Sequence, residues 1–148
     1  SEVEMVQLLN RWRAEFASGD AARLSALYAE DATLTASNGS EPHKGTEAIR
    51  AYYKDFLAKH PMISIRPSSL TSDCGTATVS GPVVFRLSGE RKGTRTLLGG
   101  TYSTEYALQG GTWRIVRHSL AANPKGAKDL RGVVDPNGNA PVKASPPL

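Results

Sequence analysis

The residues best suited to chemistry lie in the last third of the chain, within residues 95–120. This stretch predicts two long antiparallel strands joined by a two-residue turn at Gly110-Gly111. In that register Glu105 and His118 are diagonal neighbours on one face of the sheet. A carboxylate beside an imidazole fixes its tautomer and raises its basicity, which would make a general base near neutral pH. The sequence therefore predicts His118 and Glu105 as a catalytic pair.

The pair also has structural interpretations. Glu105 and His118 could face another subunit from the sheet surface, or Glu105 could pair with Arg114 on the opposite diagonal. A bulge or a loop of odd length would move the partners to opposite faces, so the assignment depends on the register. The predicted cross-strand partners are Leu108 and Trp113, Tyr106 and Ile115, Glu105 and Val116, and Ser103 and His118.

The remaining residue types argue against metal and nucleic-acid chemistry. The three histidines, His43, His60 and His118, include no two at ligand spacing, and Cys74 is the single cysteine. No glycine-rich phosphate loop, nucleophile elbow or basic aromatic platform is present. The net charge of +4 comes from basic residues interleaved with acids. We therefore expect no metal, no cofactor and no nucleic-acid partner.

Three helices are predicted ahead of these strands: over about 3–17, after a cap at Asp20, and from a cap at Thr46 to Pro61. Apolar or aromatic residues recur along one stripe of each helix. They are Met5, Leu9, Trp12 and Phe16 in the first, Leu24, Leu27 and Tyr28 in the second, and Ile49, Tyr53, Phe56 and His60 in the third.

The pattern then changes to the two-residue period of strands. One strand is predicted over 62–66, a turn over 72–75, and a longer strand over 76–88, where Pro82 marks a bulge or an edge. A short strand over 33–37 precedes the turn pair Asn38-Gly39. This order predicts an α+β domain with helices packed on one side of a curved antiparallel sheet.

The end of the chain differs in composition from the rest. Residues 121–148 hold five of the nine prolines, which is typical of an arm lying on a neighbour. We therefore expect one domain over 1–123 and a proline-rich arm over 124–148. No apolar run approaches membrane-spanning length, and the first residue is Ser1, which fits removal of a signal peptide or a cut chain. We expect a water-soluble protein without a membrane partner, cytoplasmic or exported.

Three segments together resemble a known superfamily. They are GDAARLSALYAEDATL over 19–34, HKGTEAIRAYYKDF over 43–56 and GGTWRIVRHSLAANP over 110–124. In this order the chain is similar to NTF2-like proteins, and within them to the SnoaL-like and DUF4440 group and the association domain of calcium/calmodulin-dependent protein kinase II. The resemblance implies a cone-shaped α+β fold, in which three helices pack on a strongly curved sheet that encloses a cavity and forms a homodimer.

The resemblance also implies ligand-binding residues. Arg86, in FRLSG, matches by position an arginine that the kinase domains place inside the cavity, where an anionic ligand or Glu105 could be its partner. Those domains carry further cavity arginines where this chain has Thr104 and Leu120, so the same ligand is not expected. Aromatic residues of a cone-shaped fold are plain core, cavity wall or both. The aromatic candidates are Trp12, Phe16, Tyr28, Tyr53 and Tyr102.

Two functions follow from the resemblance, because the superfamily includes isomerases, cyclases, epoxide hydrolases, dehydratases, transport factors and oligomerisation hubs. The first is binding of a small, mainly apolar molecule with one polar or anionic group. Proton transfer beside a carbonyl, as in isomerisation or cyclisation, is then the reaction that His118 or Glu105 could catalyse. The second is a non-catalytic homo-oligomerisation module similar to the kinase association domain. The sequence leaves open whether the protein is an enzyme.

Overall fold

A computed structural model describes residues 1–36, 41–88, 93 and 95–122. In these ranges the strands form one sheet of order β2-β1-β7-β6-β5-β3, and β4 also pairs with β5. The elements are α1 (Glu2–Ala17), α2 (Ala21–Ser25), β1 (Tyr28–Ala36), β2 (His43–Lys44), α3 (Thr46–Leu57), β3 (Met62–Ile65), β4 (Ser69–Asp73), β5 (Thr76–Ser88), β6 (Arg95–Gln109) and β7 (Thr112–Ala122).

The helices pack on one face of this curved sheet, which confirms the predicted α+β fold. All strand pairs are antiparallel except β1 with β7, which is parallel. The parallel pair was not predicted, and it places the first strand beside the last in the sheet. We call the side that carries Phe85, Tyr102 and Ile115 the inner face, because aromatic residues of the helices pack against it.

The first two helices confirm most of their predictions. Met5, Leu9, Trp12 and Phe16 are all buried along α1. The Asp20 carboxylate accepts hydrogen bonds from the first backbone N–H groups of α2, as expected of a helix cap. However, α2 has only 5 residues, and Tyr28 begins β1 instead of extending the helix. Its prediction as a helical residue was wrong, because an apolar residue at helical spacing also fits a buried strand.

The start of α3 differs from the prediction. Gly45, with φ of 89°, is the N-cap, and Thr46 is the first helical residue. The Thr46 hydroxyl donates to the Ala29 carbonyl at 3.5 Å, so it contacts the neighbouring strand β1. At the other end the helix stops at Leu57, which is buried, and His60 lies beyond it, exposed and with φ of 51°. Thr46 as cap and His60 as part of the helical stripe were therefore wrong.

The middle of β5 is shaped by a close backbone approach. Residues 76–80 of β5 pair with β4 and residues 83–86 pair with β3. Pro82 lies in the gap between these two partners, which confirms its predicted edge position. The chain linking β3 to β4 passes so close that a Cβ on Gly81 would lie 2.2 Å from the Arg66 carbonyl oxygen. Glycine is therefore required at this position by space alone.

One strand was missed in the sequence. Residues 69–73 form β4, which reaches β5 through the turn at Cys74 and Gly75. Only Leu70 is a large apolar residue in this strand, and the other four side chains are exposed. An edge strand of this composition shows no apolar alternation, so the pattern indicated only the turn.

The last hairpin decides which residues share the inner face. Gly110 and Gly111 have φ of 57° and 83°, which confirms the predicted two-residue turn. The partners nearest the turn are also confirmed, with Leu108 opposite Trp113 and Tyr106 opposite Ile115. The register then shifts by one residue. Beyond this bulge the partners are Glu105 with Arg117 and Thr104 with His118.

The bulge makes the predicted pairs of Glu105 with Val116 and Ser103 with His118 wrong. Val116 is the extra residue on β7, so every later side chain of that strand moves to the other face relative to the prediction. His118 consequently lies on the inner face, with Tyr102 and Tyr106, and is 3% exposed. Glu105 lies on the outer face, where it forms an ion pair with Arg117 at 3.5 Å.

Two predictions fall outside the described residues. These are the turn at Asn38-Gly39 and the proline-rich arm over 124–148. Within the part of the chain that the structure describes, no helix combines the length and apolar character needed to cross a bilayer.

Candidate functional site

Four secondary-structure elements bring polar side chains together at the hydroxyl of Tyr28. Trp12 of α1 donates its Nε1–H to this hydroxyl at 3.1 Å. The Tyr53 hydroxyl of α3 lies 2.6 Å from it, and Nδ1 of His118 on β7 lies 2.7 Å from it. We call these four residues the Tyr28 cluster. Each of them is at most 3% exposed, so the cluster is sealed within the apolar core.

His118 is held in this cluster as a neutral imidazole. Burial lowers its pKa from 6.5 to about 4, since a charged imidazolium would lose its hydration inside the core. Trp12 packs edge-on against the ring at 5.6 Å, and the Tyr28 ring stacks on it at 6.0 Å. Burial also raises the pKa of Tyr28 and of Tyr53 above the ordinary value, so both phenols keep their protons.

One atom of the Tyr28 cluster has no hydrogen-bond partner. Nε2 of His118 is completely buried, and no donor or acceptor in the described part of the chain reaches it. Polar atoms in protein interiors are nearly always satisfied, so an orphaned ring nitrogen calls for an explanation.

An aromatic layer lies next to the cluster. Phe16 stacks on Trp12 at 5.1 Å and contacts the rings of Phe56 and Phe85 at 6.2 Å and 6.0 Å. Phe56 and Phe85 meet edge to face at 5.3 Å. These contacts connect α1 and α3 to β5 across the inner face of the sheet.

A cavity of about 620 Å³ lies on the other side of this layer, between α3 and the sheet. Phe56 and Phe85 belong both to the layer and to the cavity wall. Most of the other lining groups are aliphatic side chains or glycines. The lining residues include Ala48, Ala51, Tyr52, Phe56, Val83, Phe85, Leu87, Leu98, Gly100 and Leu120.

The polar groups of the cavity come mostly from the helix side. His43, Asp55 and Lys59 all contribute to the lining, and the His43 ring packs on Tyr52 at 4.6 Å. Asp55 and Lys59 are spaced as i and i+4, yet no ion pair between them occurs among the described residues. Both residues therefore contribute to the cavity lining without a direct ion pair to each other.

The structure groups some of the predicted site residues and separates others. Trp12, Tyr28 and Tyr53 meet His118 in the Tyr28 cluster, whereas Phe16 belongs to the aromatic layer. Tyr102 is buried on the inner face, where its hydroxyl donates to the Arg66 carbonyl at 2.9 Å. None of these aromatic candidates lines the cavity, because they lie deeper in the core than the lining residues.

The side chains of Glu105 and Arg86 lie on the face of the sheet opposite the cavity. Glu105 pairs with Arg117, so its predicted contact with His118 is wrong. Arg86 lies between Phe85 and Leu87, which both line the cavity, and successive side chains of a strand point to opposite faces. The placement of Arg86 inside the cavity is therefore also corrected.

Some of the residues that line the cavity could have been predicted from the sequence. Phe56 lay on the predicted stripe of α3, and Phe85, Leu87 and Leu98 lay on the predicted apolar faces of their strands. Tyr52 gave no such signal, because it is one position away from the buried stripe of α3. His43, Asp55 and Lys59 also gave none, because polar residues that are partly or fully exposed do not differ in pattern from ordinary surface residues.

The curved sheet, the helices on its inner face and the cavity between them define a cone-shaped α+β domain of the NTF2-like class. A sequence model of the SnoaL-like domain matches residues 1–119. The chain therefore belongs to the SnoaL-like domain family of the NTF2-like superfamily.

Solved structures agree with this assignment. A Xanthomonas campestris protein, provisionally named a calcium/calmodulin-dependent protein kinase II association domain, is 27% identical with a TM-score of 0.72, over 82% of this chain and 87% of that one. An NTF2-like protein with a cystatin-like fold from Novosphingobium aromaticivorans is 25% identical with a TM-score of 0.71, over 86% and 85% of the two chains.

A more distant similarity shows the fold alone. A ketosteroid isomerase-like protein from Erwinia carotovora is 13% identical with a TM-score of 0.65, over 78% of this chain and 91% of that one.

Proposed function

We propose that this domain binds a small, mainly apolar molecule in the cavity between α3 and the sheet. The observation that carries the proposal is a cavity of about 620 Å³ with a wall of Phe56, Phe85, Leu98 and Leu120. A volume of this size is typical of small-molecule sites, which are mostly apolar with a few polar groups that orient the ligand.

The polar part of the ligand would lie at the helix side of the cavity. Lys59 and His43 can donate hydrogen bonds there, and Asp55 can accept them. A ligand with one polar or anionic group can therefore place that group near Lys59 while its apolar part contacts the sheet. In this proposal Lys59 takes the anion-binding role that the sequence had suggested for Arg86.

We propose binding, without catalysis, as the function. Of the predicted catalytic pair, only His118 lies on the inner face, because Glu105 lies on the outer face. Burial lowers the pKa of His118 to about 4, so its basicity is below that of an ordinary imidazole. The neutral imidazole is better suited to form a hydrogen bond than to exchange a proton.

A pair of bicyclic probes tests the proposal. Tetralin and its ketone 1-tetralone are small enough for the cavity, and their affinities can be measured by titration calorimetry. Ala51 lies on the cavity wall, so Ala51→Trp should fill part of the cavity and weaken both probes at least tenfold. Ala14→Trp is the matched control, because Ala14 is an exposed residue of α1 that does not line the cavity. Failure of both probes to bind, or equal affinities in both variants, would refute the proposal.

Self-association is a second candidate function. The outer face of β6 and β7 presents Ser103 and Ser119, and sheet faces of short polar side chains commonly pack on a second copy. The similarity to a protein named as an association domain favours the same function. Sedimentation velocity should then show a dimer, and Ser103→Arg should yield a monomer. Thr71→Arg on β4 is the control and should leave the dimer intact. A wild-type monomer would exclude this function.

A further inference from the structure

Counting protons in the Tyr28 cluster shows that one donor has no acceptor. With a neutral imidazole, the indole, the two phenols and the imidazole carry one proton each. The structure provides only three hydrogen bonds, all of which end at the Tyr28 oxygen. The indole can only donate, so its proton is used in the first bond. Three protons remain for the two bonds to Tyr53 and His118.

Because the Tyr28 oxygen accepts at most two hydrogen bonds, only two arrangements of these protons use all three bonds. In the first, Tyr53 donates to Tyr28 and Tyr28 donates to Nδ1 of His118, so the imidazole carries its proton on Nε2. In the second, Nδ1–H of His118 donates to Tyr28 and Tyr28 donates to Tyr53. The second arrangement leaves the Tyr53 proton without an acceptor and Nε2 without a donor. The first leaves a single unsatisfied group, Nε2–H, and is therefore favoured.

We propose that Tyr28 holds His118 as the Nε2–H tautomer and that this N–H binds a neutral acceptor oxygen of the ligand. This inference rests on the proposed function, and it adds the class of ligand: a mainly apolar molecule with a carbonyl or ether oxygen at its buried end. A carboxylate is disfavoured at that end, because the cluster contains no cation and a buried anion without one is costly.

Nε2 of His118 is buried and His118 does not line the cavity, so this contact requires the aromatic layer between them to open. Leu120 lines the cavity and lies two residues after His118 on β7, and both face inward. Two strand residues span about 7 Å, so a ligand that extends past Leu120 reaches the level of the imidazole. The ring of Phe56, which is half-buried and lines the cavity, lies in the aromatic layer between them.

The tautomer can be measured directly on the full chain. Protein with ¹⁵N-labelled histidine should show a pyrrole-type Nε2 and a pyridine-type Nδ1 for His118 between pH 6 and 8, assigned by comparison with His118→Phe. Tyr28→Phe removes the donor to Nδ1, and it should shift the Nδ1 resonance. The opposite tautomer in the wild-type protein would overturn the inference, whether or not any probe binds.

The ligand contact is tested with tetralin and 1-tetralone, which differ by one carbonyl oxygen. We expect 1-tetralone, but not tetralin, to shift the Nε2–H resonance. The affinity ratio of ketone to hydrocarbon should fall about tenfold in His118→Phe, the value of one buried hydrogen bond. His60→Asn, which removes an exposed histidine, should keep the wild-type ratio.

The other outcomes separate the two proposals. If neither probe binds, the proposed function is refuted. The measured tautomer of His118 then still tests the proton arrangement of the Tyr28 cluster. If both bind with the same ratio in wild type and His118→Phe, the cavity is confirmed and the ligand contact is refuted. A buried water molecule could supply the same acceptor oxygen. A crystal structure that keeps a water on Nε2 with 1-tetralone bound would also overturn the ligand contact.

Discussion

Acidification should destabilise this protein through His118. The folded-state pKa of His118 is about 4, below its ordinary value of 6.5. As the pH falls below 6.5, the unfolded chain therefore binds a proton that the folded chain does not. The stabilising contribution of the neutral imidazole is complete above pH 6.5 and is lost between pH 6.5 and 4.

The magnitude follows from the size of the shift. One pKa unit corresponds to about 1.4 kcal/mol, so His118 should lower the free energy of unfolding by about 3 kcal/mol at pH 4 relative to pH 7.5. Carboxylates also titrate in this range, so the measured quantity is the difference between the wild type and His118→Phe. Phenylalanine occupies a similar volume and has no proton to bind.

Urea denaturation at half-unit pH steps provides the assay. We expect the two free-energy curves to be parallel above pH 7 and to converge with a slope of about 1.4 kcal/mol per pH unit between pH 6 and 4.5. His60→Asn should follow the wild-type curve, because its imidazole is exposed. Parallel curves over the whole range would refute the assignment of His118 as a buried neutral imidazole.

Three further predictions concern the sheet and are each measured by urea denaturation at pH 7.5. Gly81→Ala should destabilise the fold by about 3 kcal/mol or more, because its Cβ would lie 2.2 Å from a backbone oxygen; a loss under 1 kcal/mol would contradict this close approach. Gly111→Val should lower the free energy of unfolding by more than 1 kcal/mol, because valine is strained at φ of 83°. Gly110→Asn should be tolerated, since Asn-Gly fits this turn, and equal losses for the two variants would argue against the turn geometry. A double-mutant cycle on Glu105 and Arg117 should give a coupling of about 0.5 kcal/mol or less, because both side chains are exposed to solvent; a coupling above 2 kcal/mol would contradict this.

The sequence contained most of the information needed for the fold. Periodicity along α1 identified Trp12 and Phe16 as buried, and the two glycines at 110–111 identified the hairpin turn. Both signals are local, because one comes from a single helix face and the other from the φ angles that only glycine adopts readily. The strand β4 was missed because its exposed edge carries no apolar alternation.

The candidate site was harder to predict for a physical reason. Trp12, Tyr28, Tyr53 and His118 were all proposed as site residues, yet their common contact at the Tyr28 hydroxyl depends on four elements distant in sequence. Nothing in the sequence marks the bulge at Val116, because an extra residue in one strand changes neither composition nor local propensity. That one residue moved His118 to the inner face and separated it from Glu105.

The most direct test of ligand binding is a crystal structure of the protein with 1-tetralone. We expect the ketone in the cavity between α3 and the sheet, with its rings against Phe56, Phe85 and Leu98. Its oxygen should lie within hydrogen-bonding distance of Nε2 of His118. A cavity without the ketone at a saturating concentration, or a ketone bound only on the outer face of the sheet, would contradict the proposed binding function.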